Sequence, residues 1–534
     1  MKAWKSLLKV VSLFCLCCFV ALSCARSTPN GALNTTGRIT VGTTATISTI
    51  DPADAYSIFA GNLLYNLGDR LYGYKVGTSE LEPQLATALP TVSSDGLTYT
   101  IPLRKGVVFH DGTRFDAKAM EFSLQRFIQN GGSPAFLLSD AVDTIAATAP
   151  DQLTIKLKKP FAAFPSLLAF SGACAVSPTA YEIKEGAFKP ATFVGTGAYK
   201  LVKYGTDSLK LDAFDQYWGQ KPANRGVDVQ FFSSAANLFN AFRTGAIDVA
   251  YQGMALSQIE SLQEKAAIAG WKIVERSGSG INYLTLNLKS QPLDKVEVRQ
   301  AIAAVIDRSI LQNRVFQGQV EPLYSLIPAT LEEQKPVFQR NGDPNAEVAK
   351  ALLAKVGYSE TNPLNVEFWY RSNVVNDQLV ALTLTAIVRK QLGKLMQLDL
   401  KSVESTTAYR NLDKGAYPIF LLDWTPDFLD SDNYIQPFME CTKGSQTGCE
   451  EGASVSQGSY YYSDRVNTLI DQSRQVQNPA VRNQIFAELQ TILRQDVPFI
   501  PLWQNKDYLF IQKNIQGATL EVTQKVPFAT LKKA

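Results

Sequence analysis

Apolar and polar positions alternate over residues 38–49, RITVGTTATIST, with β-branched residues filling the alternation, which predicts an opening strand. Asp51-Pro52 marks a turn, after which Leu63, Leu64, Leu67 and Leu71 recur at helical spacing. Residues 97–128 read as two strands, a turn at Asp111-Gly112 and a helix from about Ala117. Residues 152–159 alternate again, 195–204 and 208–214 pair as a hairpin, 234–245 is helical and 246–253 is a strand. Further on, 281–288 predicts a strand and 296–311 an amphipathic helix. Asp343-Pro344 caps a helix that runs to Gly357. A strand at 366–371 precedes helices at about 376–395, 464–475 and 479–495. Strands and helices interleave throughout and no repeat of 20–50 residues emerges, so the fold class is mixed α/β.

The pattern breaks at the N-terminus. Residues 1–23 carry Lys2, Lys5 and Lys9, then an apolar stretch over 10–22 that is short for a membrane span, then small residues. This is an export signal. The segment Ala21-Leu22-Ser23-Cys24 resembles a bacterial lipobox, with Ala21 where that motif prefers leucine, and implies lipidation of Cys24 after cleavage. Residues 25–37, ARSTPNGALNTTG, are too polar to bury a core, so 24–37 reads as a lipid-anchored flexible tether.

Composition then narrows the chemistry. The 534 residues are 46% hydrophobic and 19% charged, ordinary for a globular chain of about three domains. The net charge of +3 belongs to the leader: without its three lysines the 52 basic residues fall to 49 and match the 49 acidic ones. No basic block exists to bind nucleic acid. His110 is the single histidine, which excludes two-histidine zinc chemistry and leaves a hydrolytic triad only His110 to use. Its setting, Val108-Phe109-His110-Asp111-Gly112, reads as a structural hairpin. Cys441 and Cys449 bracket a short polar loop, and a disulfide there fits an oxidising compartment and contributes about 2–3 kcal/mol. Cys174 reads as an inert buried thiol.

Eight segments in order carry a resemblance. They are LRKGVVFHDGTRFDAKAMEFSLQR (103–126), GTGAYKL (195–201), YWGQKP (217–222), FRTGAIDVAY (242–251), PLDKVEVRQAIAAVIDRSIL (292–311), AKALLAKVGY (349–358), DWTPDFLDSDNYIQPF (423–438) and DVPFIPL (496–502). Together they resemble the extracytoplasmic solute-binding proteins of peptide-type ABC transporters, the oligopeptide-, dipeptide- and nickel-binding family. The resemblance runs from about residue 40 to about 505, and departs from the family signature at Ala119-Met120. It implies a two-lobed periplasmic-binding-protein fold with an extra subdomain and a hinge between the lobes. Lobe I would take 38–72, 196–283 and 505–534, the additional subdomain 73–195, and lobe II 284–504.

The resemblance also implies which residues meet the ligand. Asp427, in Trp424-Thr425-Pro426-Asp427, matches the aspartate that pairs with a peptide's α-ammonium group, and Trp424 would supply a flat apolar wall. Tyr56, Ser57 and Ile58 after the first strand, and Tyr251 with Gln252, match further contact segments. Where some oligopeptide binders place arginines for the ligand carboxylate, this chain has Leu412 and Leu421, with Arg410 and Lys414 out of register. Asp430 and Asp432 read as a helix cap or a solvated acidic loop, and the aspartates Asp423, Asp427, Asp430 and Asp432 lack the glycine an EF-hand needs. Trp424 and Tyr251 read equally well as core residues, and Tyr460-Tyr461-Tyr462 fits either the cleft or the packing under the late helices.

The expectation is therefore a non-enzymatic monomer on the periplasmic side of the cytoplasmic membrane, anchored through Cys24. It would capture peptides by lobe closure and deliver them to ABC permease subunits, with no cofactor, metal or nucleic acid. A nickel chelate or other non-peptide solute on the same fold is the alternative, and a secreted carboxylate-dependent hydrolase is the alternative from another class.

Overall fold

The computed structural model describes residues 37–339 and 344–534. The expected signal, Cys24 and the tether up to residue 36 lie outside the described residues. The strand at 38–49 is shorter than its alternation suggests: Arg38–Thr43 is paired and the chain leaves the sheet after Thr43. The helix that follows, Ile58–Leu67, buries Leu63, Leu64 and Leu67 completely. Its cap is Ser57, which accepts from the Ala60 amide. The late helices Asp464–Gln475 and Pro479–Asp496 fall where periodicity puts them, each capped by a polar side chain just ahead of it, Ser463 and Asn478.

The expected helix 296–311 is broken. Val296–Val305 ends before Asp307, whose side chain caps a new short turn, Arg308–Ile310, that continues into a π-helical stretch, Leu311–Val315. The expected helix before Gly357 spans Ala346–Lys355 and is capped by Asn345, while Asp343 of the expected cap lies outside the described residues.

One eleven-stranded sheet runs through both lobes. On one side, strands Arg38–Thr43, Gly226–Phe231 and Val249–Tyr251 are parallel neighbours, extended by the hairpin Tyr199–Tyr204/Ser208–Ala213. On the other, Leu364–Arg371 lies parallel to Met396–Val403 and to Ile419–Trp424. Two long antiparallel strands, Lys272–Leu286 and Phe499–Ile511, connect the halves. Phe499–Ile511 pairs at its C-terminal end with Val249–Tyr251, and Lys272–Leu286 pairs from Ile281 onward with Ile419–Trp424. Their register shifts between Ser277 and Ile281, at Gly278 and Gly280. A separate four-stranded sheet with helix Ala117–Gln129 forms the additional subdomain around its own core, which includes Tyr99, Phe109, Phe127 and Phe164.

Buried polar clasps hold several of the segments that carry the resemblance. Arg126 and Asp51 form a bidentate pair at 2.7 Å with side chains 1% and 0% exposed, tying the signature helix to the chain after the first strand. Asp69 accepts from Trp218 Nε1 at 2.8 Å, Tyr217 OH at 3.1 Å and Thr196 Oγ1 at 2.8 Å, which uses both aromatic residues of YWGQKP. Arg308 donates to the carbonyls of Leu323 and Pro501. Buried polar groups left without partners cost free energy, so each clasp specifies its segment's position. Cys441 and Cys449 form a disulfide, and Cys174 is free and buried, where loss of hydration pushes its thiol up to about 12.

Candidate functional site

In parallel sheets the loops at the carboxyl ends of strands are placed to meet a ligand. Two such loops face each other here, one from each lobe. The chain leaving Thr43 is held by Asp51, which pairs with Arg126 and also accepts from the Lys189 amide at 2.6 Å. That anchorage presents Tyr56, whose ring stands edge-on to Phe136 and Phe170 at centroid distances of 5.9 and 6.3 Å.

The chain leaving Trp424 carries Asp427. Its loop is fixed by two bidentate ion pairs, Asp430 with Arg482 at 2.5–2.7 Å and Asp432 with Arg474 at 2.7–2.8 Å. Asp430 also caps the short turn Ser431–Tyr434. Both carboxylates thus serve the loop's own architecture rather than facing solvent. Asp423 pairs with Arg371. With these oxygens engaged, no group of side chains suited to a metal ion occurs among the described residues. The Asp427 amide donates to Asn433 Oδ1 at 3.0 Å, and the Leu429 amide to Tyr74 OH at 3.0 Å. Phe428 is inserted into the core of the additional subdomain beside Phe161.

The loops touch where Tyr56 OH donates to Asp427 Oδ1 at 2.6 Å. Between them lies a cavity of about 290 Å³. Tyr56, Ser57, Ile58 and Asp427 line it, together with Phe170, Ser279 and the C-terminal segment at Glu521 and Lys525. Asp427 has no Lys or Arg within ion-pairing distance among the described residues, and its one side-chain partner is Tyr56. Burial raises its pKa above the ordinary carboxylate value, and the Tyr56 hydroxyl partly opposes this. Tyr56 is raised by burial and by the neighbouring carboxylate, so it stays a donor.

The other sequence-derived candidates stand outside the lining. Trp424 packs edge-on against Phe438 at 5.5 Å, behind the loop it precedes, with its Nε1 unbonded. Tyr251 is 2% exposed and its hydroxyl donates to the backbone carbonyl of Gln524, so it supports the C-terminal segment from behind. Gln252 has a positive φ of 58° and donates to Tyr251 OH at 3.2 Å. Leu412 and Leu421 are core residues of the second lobe. Of the tyrosine run, Tyr461 packs in that same core and its hydroxyl donates to Asp496. His110 is fixed at the hairpin: Nε2 meets the Gly197 carbonyl at 3.0 Å and Nδ1 accepts from the Gly195 amide at 3.3 Å. Burial lowers its pKa to about 4, so it is a neutral structural group at pH 7.

Arg70, Glu521 and Lys525 line the cavity but escaped the sequence reading. Arg70 is 2% exposed and donates to the carbonyls of Gly68 and Tyr65 while lying over the Tyr65 ring. Glu521 is 2% exposed with both carboxylate oxygens unbonded. Among the described residues, Lys525 reaches only the Ile58 carbonyl, at 3.5 Å. No motif distinguishes these residues, and only the return of the C-terminal chain against helix Ile58–Leu67 assembles them. That return is fixed by Asn62 Oδ1 and Asn66 Oδ1, which accept from the Val526 and Phe528 amides at 2.7 and 2.8 Å.

Comparison with known proteins agrees with this architecture. The glutathione-binding protein GsiB of Escherichia coli O6:K15:H31 is 27% identical over 497 residues, which covers 90% of this chain and 91% of GsiB. The structure of HbpA2 from Haemophilus parasuis superposes with a TM-score of 0.80 at 22% identity, covering 93% of this chain and 100% of that one. The periplasmic binding protein DppA from Helicobacter pylori, in complex with the peptide STSA, gives a TM-score of 0.72 at 23% identity, covering 93% and 98%. These two structures share the fold. Residues 80–446 match the middle region of the bacterial extracellular solute-binding proteins, family 5. With two lobes joined by paired long strands and a lined cavity where the loops of both lobes meet, the chain belongs to that family.

Proposed function

We propose that this protein is the substrate-binding component of an ABC importer and that its solute is a short peptide. The two lobes close on the peptide, no bond is made or broken, and the closed form is passed to the permease. The bodies that move are the divisions expected from the sequence, 38–72 with 196–283 and 505–534 together with 73–195, against 284–504. The observation that carries the reading is Asp427, a partly desolvated carboxylate at the lobe junction with no Lys or Arg within ion-pairing distance among the described residues. A ligand ammonium group supplies that missing charge, and closure of the cavity strengthens the bond by excluding water. The glutathione-binding relative and the peptide complex of DppA are in keeping with a peptide solute.

The cavity of about 290 Å³ suits a small peptide and lies just below the roughly 300–1,000 Å³ range of small-molecule sites. The protein works as a monomer held on the periplasmic side by lipid on Cys24, and Cys24→Ala releases it into the soluble periplasmic fraction.

Calorimetry with di- and tripeptides tests the reading. Asp427→Asn weakens binding by about tenfold or more while the melting temperature of the free protein barely moves. N-acetylated peptides show the same loss with the wild-type protein. Equal affinity for free and acetylated peptides removes the ammonium contact. A panel of nickel–histidine complexes that binds when no peptide does replaces the peptide with a chelate.

A further inference from the structure

The ionisable side chains of the cavity, tyrosines aside, are two acids and two bases: Asp427, Glu521, Arg70 and Lys525. None takes part in an ion pair within 4.0 Å among the described residues, although pairs are formed freely elsewhere in the chain. Such a cavity is formally neutral but internally polarised. A solute that satisfies it carries both signs, and in a peptide the two signs sit at opposite ends.

Asp427 takes the positive end under the function proposed above, on which this inference rests. For the negative end, no Lys or Arg of the second lobe lines the cavity among the described residues, and Leu412 and Leu421 are packed in that lobe's core. The receptor must come from elsewhere on the cavity wall. Arg70 is committed to two backbone carbonyls and the Tyr65 ring, and the charge of Glu521 lies close enough to act on it. Lys525 is different. Its ammonium group has one weak backbone contact and lies over helix Ile58–Leu67 at Gly61, where a Cβ would come within 2.9 Å of Nζ. Ser171 Oγ lies on the same side of Gly61. The absence of a side chain at Gly61 thus leaves room for the ammonium group against the helix.

We infer that Lys525 is the carboxylate receptor of this binding site, contributed by the C-terminal segment of the first lobe, so that the protein selects peptides with a free C-terminus. Arg70, behind it, adds positive potential without direct contact. Loss of hydration and the nearby Arg70 charge lower the Lys525 pKa to about 8, while Asp507 opposes them; the group is therefore mainly charged at pH 7. An ammonium ion held this way, partly desolvated and unpaired, gains more from an incoming carboxylate than a surface lysine does.

The test compares a panel of di- and tripeptides, each as the free acid and as the C-terminal amide, by calorimetry at pH 7 on the mature protein. The wild type is expected to bind the acids about tenfold or more tightly than the amides. Lys525→Met is expected to lower affinity for the acids to that for the amides and to leave the amides within about twofold. Lys525→Arg is expected to keep part of the preference, with melting temperatures confirming that both variants fold. Equal wild-type affinity for acid and amide overturns the assignment and leaves the peptide reading standing. A preference that survives in Lys525→Met also overturns it, because the carboxylate is then met elsewhere. If no peptide binds in either form, the proposed function fails and this inference falls with it.

Discussion

Tyr56→Phe removes one oxygen at the single side-chain contact between Tyr56 and Asp427, and its effect follows from the geometry. The hydroxyl donates to Asp427 Oδ1 at 2.6 Å, while the ring is held independently by Phe136 and Phe170. Phenylalanine keeps those ring contacts, so the substitution isolates the hydrogen bond. A hydrogen bond to a charged group contributes about 1.5–3 kcal/mol when buried. Tyr56 is 46% exposed, so water replaces part of that, and about 1–1.5 kcal/mol is a fair expectation. This is a roughly five- to tenfold shift of the free protein toward the open form. Because a solute that binds the closed form is taxed by its population, the apparent dissociation constant rises by up to the same factor. Small-angle scattering reads the first effect as a larger mean radius in the unliganded variant, with the liganded radius unchanged. Calorimetry reads the second. The Tyr56→Phe and Asp427→Asn effects are less than additive, since each removes the other's partner. Tighter binding by Tyr56→Phe refutes the reasoning, because the hydroxyl would then compete with the solute for Asp427. Unchanged affinity and unchanged scattering together refute it as well.

Three further outcomes follow from groups outside the cavity. His110 is the only histidine, and its pKa falls from about 6.5 in the unfolded chain to about 4 in the fold. Its contribution is therefore complete above pH 6.5 and is lost as pH falls toward 4, up to about 3 kcal/mol, and the melting temperature of His110→Gln should decline less than the wild type's over that window. Arg126→Met leaves Asp51 buried without its partner and should cost about 3–5 kcal/mol by denaturant titration, whereas a cost under 1 kcal/mol would mean that water reaches the carboxylate. Replacing both Cys441 and Cys449 with serine opens a loop of sequence separation 8 and should cost about 2–3 kcal/mol, while peptide affinity stays unchanged because neither residue lines the cavity.

The parts of this protein legible in its sequence are those whose physics is local. The helices at 464–475 and 479–496 show their caps and their apolar stripe within one stretch of chain. The Asp427 loop was also visible, because its aspartates crowd one segment, although their pairing with Arg474 and Arg482 on other helices was not. Trp424 illustrates the converse. Its neighbours along the chain point to the cleft, but its ring is drawn into the core by Phe438, and adjacency in sequence says nothing about which side of a strand end a side chain takes. The cavity residues Arg70, Glu521 and Lys525 are more than 400 residues apart at the extremes and share no periodicity, so only tertiary closure could place them together.

The connecting strands carry the same lesson into function. Alternation in Lys272–Leu286 lapses at Ser277-Gly278-Ser279-Gly280, which makes a fifteen-residue strand look like a shorter one that begins at 281. The lapse has a structural cause. A Cβ on Gly278 would stand 2.6 Å from Asp507 Oδ2 and 3.0 Å from the Asn505 carbonyl oxygen, so the paired strand crowds that position, whereas one on Gly280 would meet the end of the Asn505 side chain at 2.9 Å. Cross-strand pairing slips at the same place. Glycines and lost ladder bonds both lower the stiffness of a strand, and here they coincide where these two strands join the two halves of the sheet. Side-chain bonds replace the ladder at this point: Gln504 Nε2 donates to the Gly278 carbonyl and Tyr434 OH to the Ser279 carbonyl, each at 2.8 Å. Tyr434 lies seven residues after Asp427, on the turn that Asp430 caps, and Ser279 itself lines the cavity. The register shift in the connecting strands and the Asp427 loop are therefore linked through one hydrogen bond. Under the proposed function, a solute held by Asp427 acts on the strands through this link, because occupancy sets the angle between the lobes only by favouring one arrangement of the strands that join them.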